Sequence, residues 1–146
     1  MIELRTILLA DDNPHDVELT IEALSESNLA NNVTVVNDGV EVLDYLRCEG
    51  QYIERNKVLP TVLLLDIKMP RMDGIQVLEV IRSDERYKLL PVVMLTSSRE
   101  EPDLQKCYAL GVNAYVVKPV DFKEFLAAVR HIGVFWALLN ELPKMD

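Results

Sequence analysis

Cysteine is scarce in this chain and long apolar runs are absent, and each shortage excludes a class of protein. The two cysteines, Cys48 and Cys107, lie far apart without the spacing of a zinc or redox motif. We therefore expect no disulfide framework and a reduced, cytoplasmic protein. No apolar stretch approaches the roughly 18 residues of a membrane-spanning helix, and the N-terminus lacks the apolar segment of a signal peptide, so we expect no membrane association.

Positive charge is also in short supply. The 146 residues include 15 lysines and arginines against 24 acids, which gives a formal net charge of −9. A surface of this sign repels a phosphate backbone, so we expect no direct binding to nucleic acid. Hydrophobic residues make up 49% of the chain, enough for a folded core. With neither linker nor internal repeat, the length predicts a single domain over residues 1–146.

Short apolar runs alternate with helical patterns along the whole chain. The five runs are residues 6–10, 33–36, 62–65, 91–95 and 114–117. This alternation is typical of a parallel sheet with helices on both faces. Right-handed crossovers then predict an α/β, doubly wound, five-stranded sheet in the flavodoxin-like order 2-1-3-4-5. The irregular stretch 47–59 is predicted to be a fraying helix end and a loop, or an insertion.

Polar side chains stand at the ends of four of these strands. Asp11 and Asp12 follow the first strand, Asp66 the third, Thr96 ends the fourth and Lys118 follows the fifth. In a wound parallel sheet these ends share one crevice. Neighbouring carboxylates repel one another, and an all-oxygen site suits Mg²⁺, which relieves that repulsion. A cation, a lysine and a hydroxyl around Asp66 favour nucleophilic chemistry that forms an acyl phosphate on this carboxylate.

The same residues have ordinary structural interpretations. Asp11 could cap the helix that follows it, Thr96 could be a plain strand-end hydroxyl, and Lys118 could be a solvated loop lysine. Their joint occurrence at four strand ends favours the functional interpretation.

Four segments of the sequence, ADDNPHD, LLLDIKMPRMDG, LTSS and YVVKP, carry a family resemblance. In order and separation they resemble the landmark segments of the receiver domain of two-component response regulators, across nearly the whole chain. The resemblance implies that Asp66 accepts a phosphoryl group from a sensor histidine kinase. It also implies that Asp11, Asp12, Asp66 and the backbone carbonyl of Lys68 hold Mg²⁺.

The resemblance assigns roles to the other strand ends as well. Thr96 is similar to the family's switch hydroxyl, and Lys118 to the lysine that pairs with the phosphoryl group. Tyr115 resembles an aromatic residue that swings between outward and inward positions, with a static edge-strand tyrosine as the alternative. The peptide bond before Pro119 resembles the family's cis bond, although sequence alone favours trans.

Residues next to the acceptor and the hydroxyl complete this resemblance. Ser97 is small, as access to the acceptor requires, and Lys68 and Ser98 resemble positions that tune dephosphorylation. A receiver of this kind is a signalling switch and catalyses only its own phosphoryl transfer and hydrolysis. Phosphorylation would shift the face formed by strand 4, helix 4 and strand 5 and so alter association with a partner or with itself.

The last predicted helix, about residues 121–142, is longer than the sheet needs. It would run roughly 30 Å, against about 17 Å for a five-residue strand. Its apolar character continues through Phe135 and Trp136. This predicts a homodimer through the helix, with folding back on the same domain as the alternative. The helix resembles that of stand-alone regulators of the Rcp-like group, which pair with phytochrome-type and other hybrid kinases. We expect no output domain on this chain, and a separate downstream protein.

Two other classes of protein stay open. An Asp-nucleophile phosphohydrolase would carry a motif similar to DxDxT on the first strand. Here the first strand ends in DDNP, and the candidate nucleophile lies at the end of the third strand. A phosphorylation-independent binding module would typically have lost an acid or the lysine, and this chain retains them all.

Overall fold

The structure is a computed structural model that describes residues 6–26, 32–119, 121, 123–124 and 126–127. Its strands are β1 (Ile7–Ala10), β2 (Val33–Val36), β3 (Val62–Leu65), β4 (Val92–Thr96) and β5 (Ala114–Val117). Its helices are α1 (Pro14–Ser25), α2 (Gly39–Arg47), α3 (Gly74–Ser83) and α4 (Glu101–Ala109), with a short 3-10 helix at Gly50–Tyr52. Residues 123–124 and 126–127 are also helical. The predicted continuation toward residue 142, and the homodimer through Phe135 and Trp136, lie outside the described residues.

All strands pair in parallel in the order β2-β1-β3-β4-β5, which confirms the predicted topology. The three central strands β1, β3 and β4 are buried at every position. Burial on both faces explains why their sequences are continuous apolar runs without alternation. The strand order reverses between β1 and β3, so the crevice at their carboxyl ends is the switch point at which such sheets bind ligands.

Two buried clusters cover the two faces of the sheet. Because successive strand residues point to opposite faces, Leu8 and Leu63 join one cluster while Leu9 and Leu64 join the other. The first cluster includes residues of α2, α3 and α4, and the second packs against α1 and Leu126. In the part of the chain that the structure describes, no helix is both long and apolar enough to span a membrane.

The segment after α2 is ordered by Arg55. Its guanidinium lies 3.9 Å from the centre of the Tyr45 ring and donates hydrogen bonds of 2.7 and 3.0 Å to the Tyr45 carbonyl. A further bond of 2.9 Å reaches the carbonyl of Val58. Cys48 closes α2 in the left-handed conformation, with φ at 56°. The prediction of a fraying helix end is therefore wrong, because a side chain from within the loop binds back to the helix.

Arg82 joins α3 to the loops that precede β4 and β5. Its guanidinium donates to the carbonyls of Lys88 and Leu90 at 3.1 and 2.9 Å, and to that of Gly111 at 2.9 and 3.2 Å. It also donates to the side-chain oxygen of Asn113 at 3.1 Å. All of these acceptors are neutral, and burial lowers the pKa of Arg82. The planar guanidinium thus fixes the entry to two strands that end at the functional site.

Replacing Arg82 with Lys is expected to lower the free energy of unfolding by about 2 kcal/mol, because an ammonium cannot bond both loops at once. Urea denaturation of the two proteins measures the difference. Arg86→Lys is the matched control, since Arg86 is exposed and its hydrogen bonds go to Asp84 in its own loop. No measurable change is expected there, and equal losses in both variants would contradict the role of Arg82.

Candidate functional site

An acidic cluster forms where β1 and β3 end side by side. Asp11, Asp12 and Asp66 each place one carboxylate oxygen within 4.8 Å of the other two. The N–H of Asp66 donates to the carbonyl of Ala10 at 3.0 Å, which continues the sheet ladder and fixes the backbone of Asp66. Asp11 and Asp66 are buried, with relative exposures of 1% and 7%, whereas Asp12 is exposed. The cluster therefore has two fixed, buried acids and one acid at its mouth.

Lys118 reaches into this cluster from the end of β5. Its ammonium lies 2.5 Å from Asp11 Oδ2, 3.0 Å from Asp66 Oδ2 and 3.1 Å from Asp16 Oδ2. Its side chain is only 7% exposed, so the interpretation as a solvated loop lysine is wrong. The peptide bond between Lys118 and Pro119 is cis, as the resemblance implied.

The charges of the cluster do not balance. Burial raises the pKa of Asp11, and this effect outweighs the hydrogen bonds from Lys118 and the Asn13 N–H that lower it. Burial acts to lower the pKa of Lys118, but the bonds to Asp11 and Asp66 raise it above its ordinary value. One ammonium thus faces an excess of carboxylates. Because each acid of the cluster offers an oxygen, this donor set fits a hard divalent cation such as Mg²⁺.

Asp11 does not cap the first helix, which answers the structural alternative for this residue. Its Oδ1 accepts a hydrogen bond of 3.0 Å from the N–H of Asn13. The cap of α1 is Asn13, whose side-chain oxygen accepts from the N–H groups of His15 and Asp16 at 2.9 and 3.2 Å. Asp11 is thereby left to face the cluster.

The loop between Asp66 and α3 is fixed by a hydrogen bond to the start of α3 and by an ion pair with Asp38. Gly74 donates from its N–H to the carbonyl of Ile67 at 2.8 Å, and a Cβ at Gly74 would lie 2.1 Å from the carbonyl oxygen of Asp66. Arg71 bonds both oxygens of Asp38 at 2.8 and 3.1 Å. Burial opposes ionisation of Asp38, but Arg71 and the N–H groups of α2 hold its pKa below the ordinary value. The backbone around Asp66 is therefore fixed on both sides.

Thr96 is buried at the end of β4, but it does not join the carboxylate cluster. Its hydroxyl oxygen accepts a hydrogen bond of 3.2 Å from the N–H of Ser98, and among the described residues it bonds to none of the cluster acids. The structure thus brings Asp11, Asp12, Asp66 and Lys118 together, and the Thr96 hydroxyl bonds within its own loop instead. The carbonyl of Lys68 as a further cation ligand stays a prediction.

Ser98 connects three parts of the neighbouring face. Its hydroxyl donates to Asp103 in the first turn of α4 at 2.6 Å, and its carbonyl accepts from the Tyr115 hydroxyl at 3.0 Å. Through its N–H it also contacts Thr96. Tyr115 is half-buried and directed at this loop. That Tyr115 moves stays a prediction, because this hydrogen bond is equally compatible with a static edge-strand ring.

Sequence reasoning missed Asp16, although it lies in the ADDNPHD segment. It stands in the first turn of α1, where an acid is common because it interacts favourably with the helix dipole. That ordinary explanation conceals the contact with Lys118, more than 100 residues away along the chain. Only the pairing of β5 into the sheet brings the two together.

Comparison with known proteins gives a consistent result. The response regulator receiver domain profile matches residues 7–130. The structure of the bacteriophytochrome response regulator RtBRR is 53% identical, with a TM-score of 0.86, over 97% of this chain and 85% of that one. The bacteriophytochrome response regulator AtBRR is 55% identical, with a TM-score of 0.85, over 96% of this chain and 100% of that one.

A curated relative extends the comparison. Response regulator Rcp1 of Synechocystis sp. is 34% identical over 139 residues, which cover 95% of this chain and 93% of Rcp1. A structure of the Mn²⁺-bound form of Rcp1 is 33% identical, with a TM-score of 0.76, over 97% of this chain and 100% of that one.

Proposed function

This chain belongs to the response regulator receiver domain family, and from that premise we propose that it is the phosphorylation-dependent switch of a two-component system, with Asp66 as the acceptor. The observation that carries the proposal is the single ammonium of Lys118, which bonds Asp66 and Asp11 inside an acidic cluster at the switch point of the sheet. Among the described residues, the one ammonium that bonds Asp66 thus stands where a phosphoryl group on that residue would need it.

The hydrogen bonds of the cluster favour Asp66 over its neighbours as the nucleophile. Both oxygens of Asp11 are engaged, Oδ1 with Asn13 and Oδ2 with Lys118. Asp66 has only Oδ2 engaged, and within the described residues Oδ1 accepts no hydrogen bond. Asp12 lies at the exposed mouth of the cluster without a bond to Lys118. Asp66 Oδ1 is therefore a buried oxygen with a free lone pair beside a fixed positive charge.

The proposed reaction is phosphoryl transfer from a phosphohistidine of a sensor kinase. Asp66 Oδ1 forms a bond to phosphorus while the nitrogen–phosphorus bond breaks, and the electron pair of that bond remains on the imidazole. Lys118 stays beside the acceptor and pairs with the added negative charge. Hydrolysis returns the carboxylate when water bonds to phosphorus, the bond from phosphorus to Asp66 breaks and phosphate leaves.

Asp11, Asp12, Asp66 and the carbonyl of Lys68 are the proposed ligands of Mg²⁺. When bound, Mg²⁺ would supply positive charge to the transferring phosphoryl oxygens. The donor set supports this assignment, since each of the three acids offers one oxygen within 4.8 Å of the others. The Mn²⁺-bound form of Rcp1 shows that a relative binds a divalent cation.

The proposed output is a shift of the face formed by β4, α4 and β5. Thr96 would move toward the phosphoryl group and break its bond with the Ser98 N–H. Ser98 also holds Asp103 and Tyr115, so that movement would reach both α4 and β5. The hydrogen bond of 3.0 Å from Tyr115 to the Ser98 carbonyl is the contact we expect to respond.

The proposed kinase partner is of the phytochrome type. The names of RtBRR and AtBRR describe bacteriophytochrome response regulators, and both are more than half identical to this chain. Self-association through the last helix is also proposed. The residues that would form the contact, Phe135 and Trp136, lie outside the described residues.

Intact-protein mass after incubation with acetyl phosphate and Mg²⁺ tests the acceptor. We expect a Mg²⁺-dependent adduct of one phosphoryl group on the wild type and none on Asp66→Asn. Asp84→Asn serves as the control, because this half-buried acid lies outside the cluster and accepts hydrogen bonds from the N–H and the guanidinium of Arg86. Sizing chromatography of the same samples reports self-association.

Each alternative gives a different result in this experiment. The absence of an adduct on the wild type would favour a phosphorylation-independent module. Continuous release of phosphate from a small phosphate ester, followed in a parallel assay, would favour a phosphohydrolase. An adduct that persists on Asp66→Asn would place the acceptor elsewhere.

A further inference from the structure

We propose that Asp16 is a positioning residue for Lys118, which keeps the ammonium in place when the oxygens of Asp11 and Asp66 turn to a cation and a phosphoryl group. The inference rests on the proposed function and deepens it. Its basis is the distance of 3.1 Å between Lys118 Nζ and Asp16 Oδ2, in addition to the bonds to Asp11 and Asp66. The three carboxylates come from β1, β3 and α1.

The start of α1 fixes where Asp16 stands. Pro14 begins the helix, and the side chain of Asn13 accepts hydrogen bonds from the N–H groups of His15 and Asp16. This cap sets the backbone of the first turn at the edge of the cluster. The side chain of Asp16 is 30% exposed, against 7% for Lys118, so the ion pair lies at the boundary between the buried cluster and solvent.

Asp16 differs from the other two partners of Lys118 because it lies outside the cation cluster. That cluster consists of Asp11, Asp12 and Asp66. An ammonium has three protons to donate, and here each faces one carboxylate oxygen. Lys118 must therefore share or release the oxygens of Asp11 and Asp66 when a cation takes them, whereas its bond to Asp16 is undisturbed.

Without Asp16, the displaced ammonium would have no carboxylate partner. Because the Lys118 side chain is only 7% exposed, water replaces the lost bonds incompletely, and an under-paired buried charge is costly. Lys118 would then hold Asp11 and Asp66 more strongly and compete with the cation. Asp16 thus favours the arrangement in which the acids bind the cation and Lys118 remains available to the phosphoryl group.

Mn²⁺ binding to the unphosphorylated protein tests the inference, with free Mn²⁺ followed by its electron paramagnetic resonance signal. Asp16→Asn is expected to weaken binding about tenfold, since a hydrogen bond to a charged group is lost. Glu18→Gln removes the same charge from an exposed position of α1 and is expected to change binding less than about twofold. Asp16→Glu is expected to restore most of the affinity.

A second background separates the two ways in which Asp16 could act. The same Mn²⁺ titrations are repeated in protein in which Lys118 is replaced by Met. If Asp16 acts through Lys118, Asp16→Asn then weakens Mn²⁺ binding no more than Glu18→Gln does. The same tenfold loss in both backgrounds would mean that Asp16 attracts the cation directly, and would overturn the inference.

A measurement on Lys118 itself keeps the test independent of that background. With saturating Mg²⁺, acetic anhydride labelling of Lys118 is followed by peptide mass, with exposed Lys123 as the internal reference. Lys118 is expected to be labelled several-fold faster in Asp16→Asn than in the wild type. In Glu18→Gln it is expected to be labelled at the wild-type rate. Unchanged labelling would overturn the role of Asp16. A wild type that binds no Mn²⁺ would instead contradict the proposed cation site.

Discussion

Lys118→Met is expected to lower the free energy of unfolding by about 4 kcal/mol at pH 7 in the presence of a chelator, because removing one partner of a buried ion pair leaves uncompensated charge. In this protein the orphaned partners would be Asp11 and Asp66, both buried, and the half-buried Asp16. Asp12 at the mouth of the cluster would add further repulsion. The size of the loss follows from the shortage of positive charge around these acids.

The loss is expected to depend on pH with a definite sign. Burial raises the folded-state pKa of Asp11 above 3.8, and the hydrogen bond from Lys118 partly offsets this rise. Without Lys118 the folded pKa rises further. A raised pKa means that stability is fully present below the unfolded value and is lost as pH rises through the folded one. The variant should therefore approach the wild type near pH 4 and fall increasingly below it toward pH 7.

Lys118 itself does not titrate in this range. Its own pKa is raised, so the stability that it contributes is lost only as pH rises through that folded value, far above neutrality. The change in the difference between variant and wild type from pH 4 to pH 7 consequently does not come from titration of Lys118 itself.

Urea denaturation over this pH range measures the effect, with Lys123→Met as the control for loss of an exposed lysine. Adding Mg²⁺ should stabilise Lys118→Met more than the wild type, because the variant has no ammonium that competes with the cation for Asp11 and Asp66. A ligand that binds only the folded state stabilises it by an amount that grows with the logarithm of its affinity. A difference between variant and wild type that is constant with pH would show that Lys118 acts through packing.

The topology could be predicted because burial on both faces leaves a clear pattern. Runs such as 62–65 contain no polar residue, and each ends abruptly where the chain leaves the core. The polar residues at those ends could be assigned to one crevice because parallel strands place their carboxyl ends together. Asp11, Asp12, Asp66 and Lys118 meet as expected, and the resemblance to a family added roles that position alone does not specify.

Contacts between distant side chains and backbone could not be predicted. Arg82 and Arg55 have no periodic signature, since each bonds carbonyl groups whose positions depend on the completed fold. Asp16 was concealed by an adequate local explanation as a first-turn acid. Thr96 was placed correctly at the end of β4, but its hydroxyl bonds within its own loop. The position of a residue at the end of a strand predicts that it lies at this edge of the sheet. It does not predict which group its side chain will bond.

Gly74→Ala is expected to lower the free energy of unfolding by about 3 kcal/mol and to weaken Mn²⁺ binding and phosphorylation by at least about tenfold. A Cβ at this position would lie 2.1 Å from the carbonyl oxygen of Asp66 and 3.0 Å from the Cα of Ile67. Both atoms belong to the backbone, so no side-chain rotation relieves the contact. Asp66 itself would have to move, although its N–H is bonded to Ala10 in the sheet.

Gly50→Ala is the matched control for this substitution. Gly50 has a positive φ of 56°, and a Cβ there would meet the end of the flexible Asp44 side chain at 3.0 Å. A cost of about 1 kcal/mol from the left-handed backbone is expected, with Mn²⁺ binding unchanged because Gly50 does not contact the acidic cluster. The comparison separates general destabilisation from displacement of the acceptor. If Gly74→Ala were destabilised yet bound Mn²⁺ and formed the adduct normally, the tight approach of α3 to Asp66 would matter for stability alone.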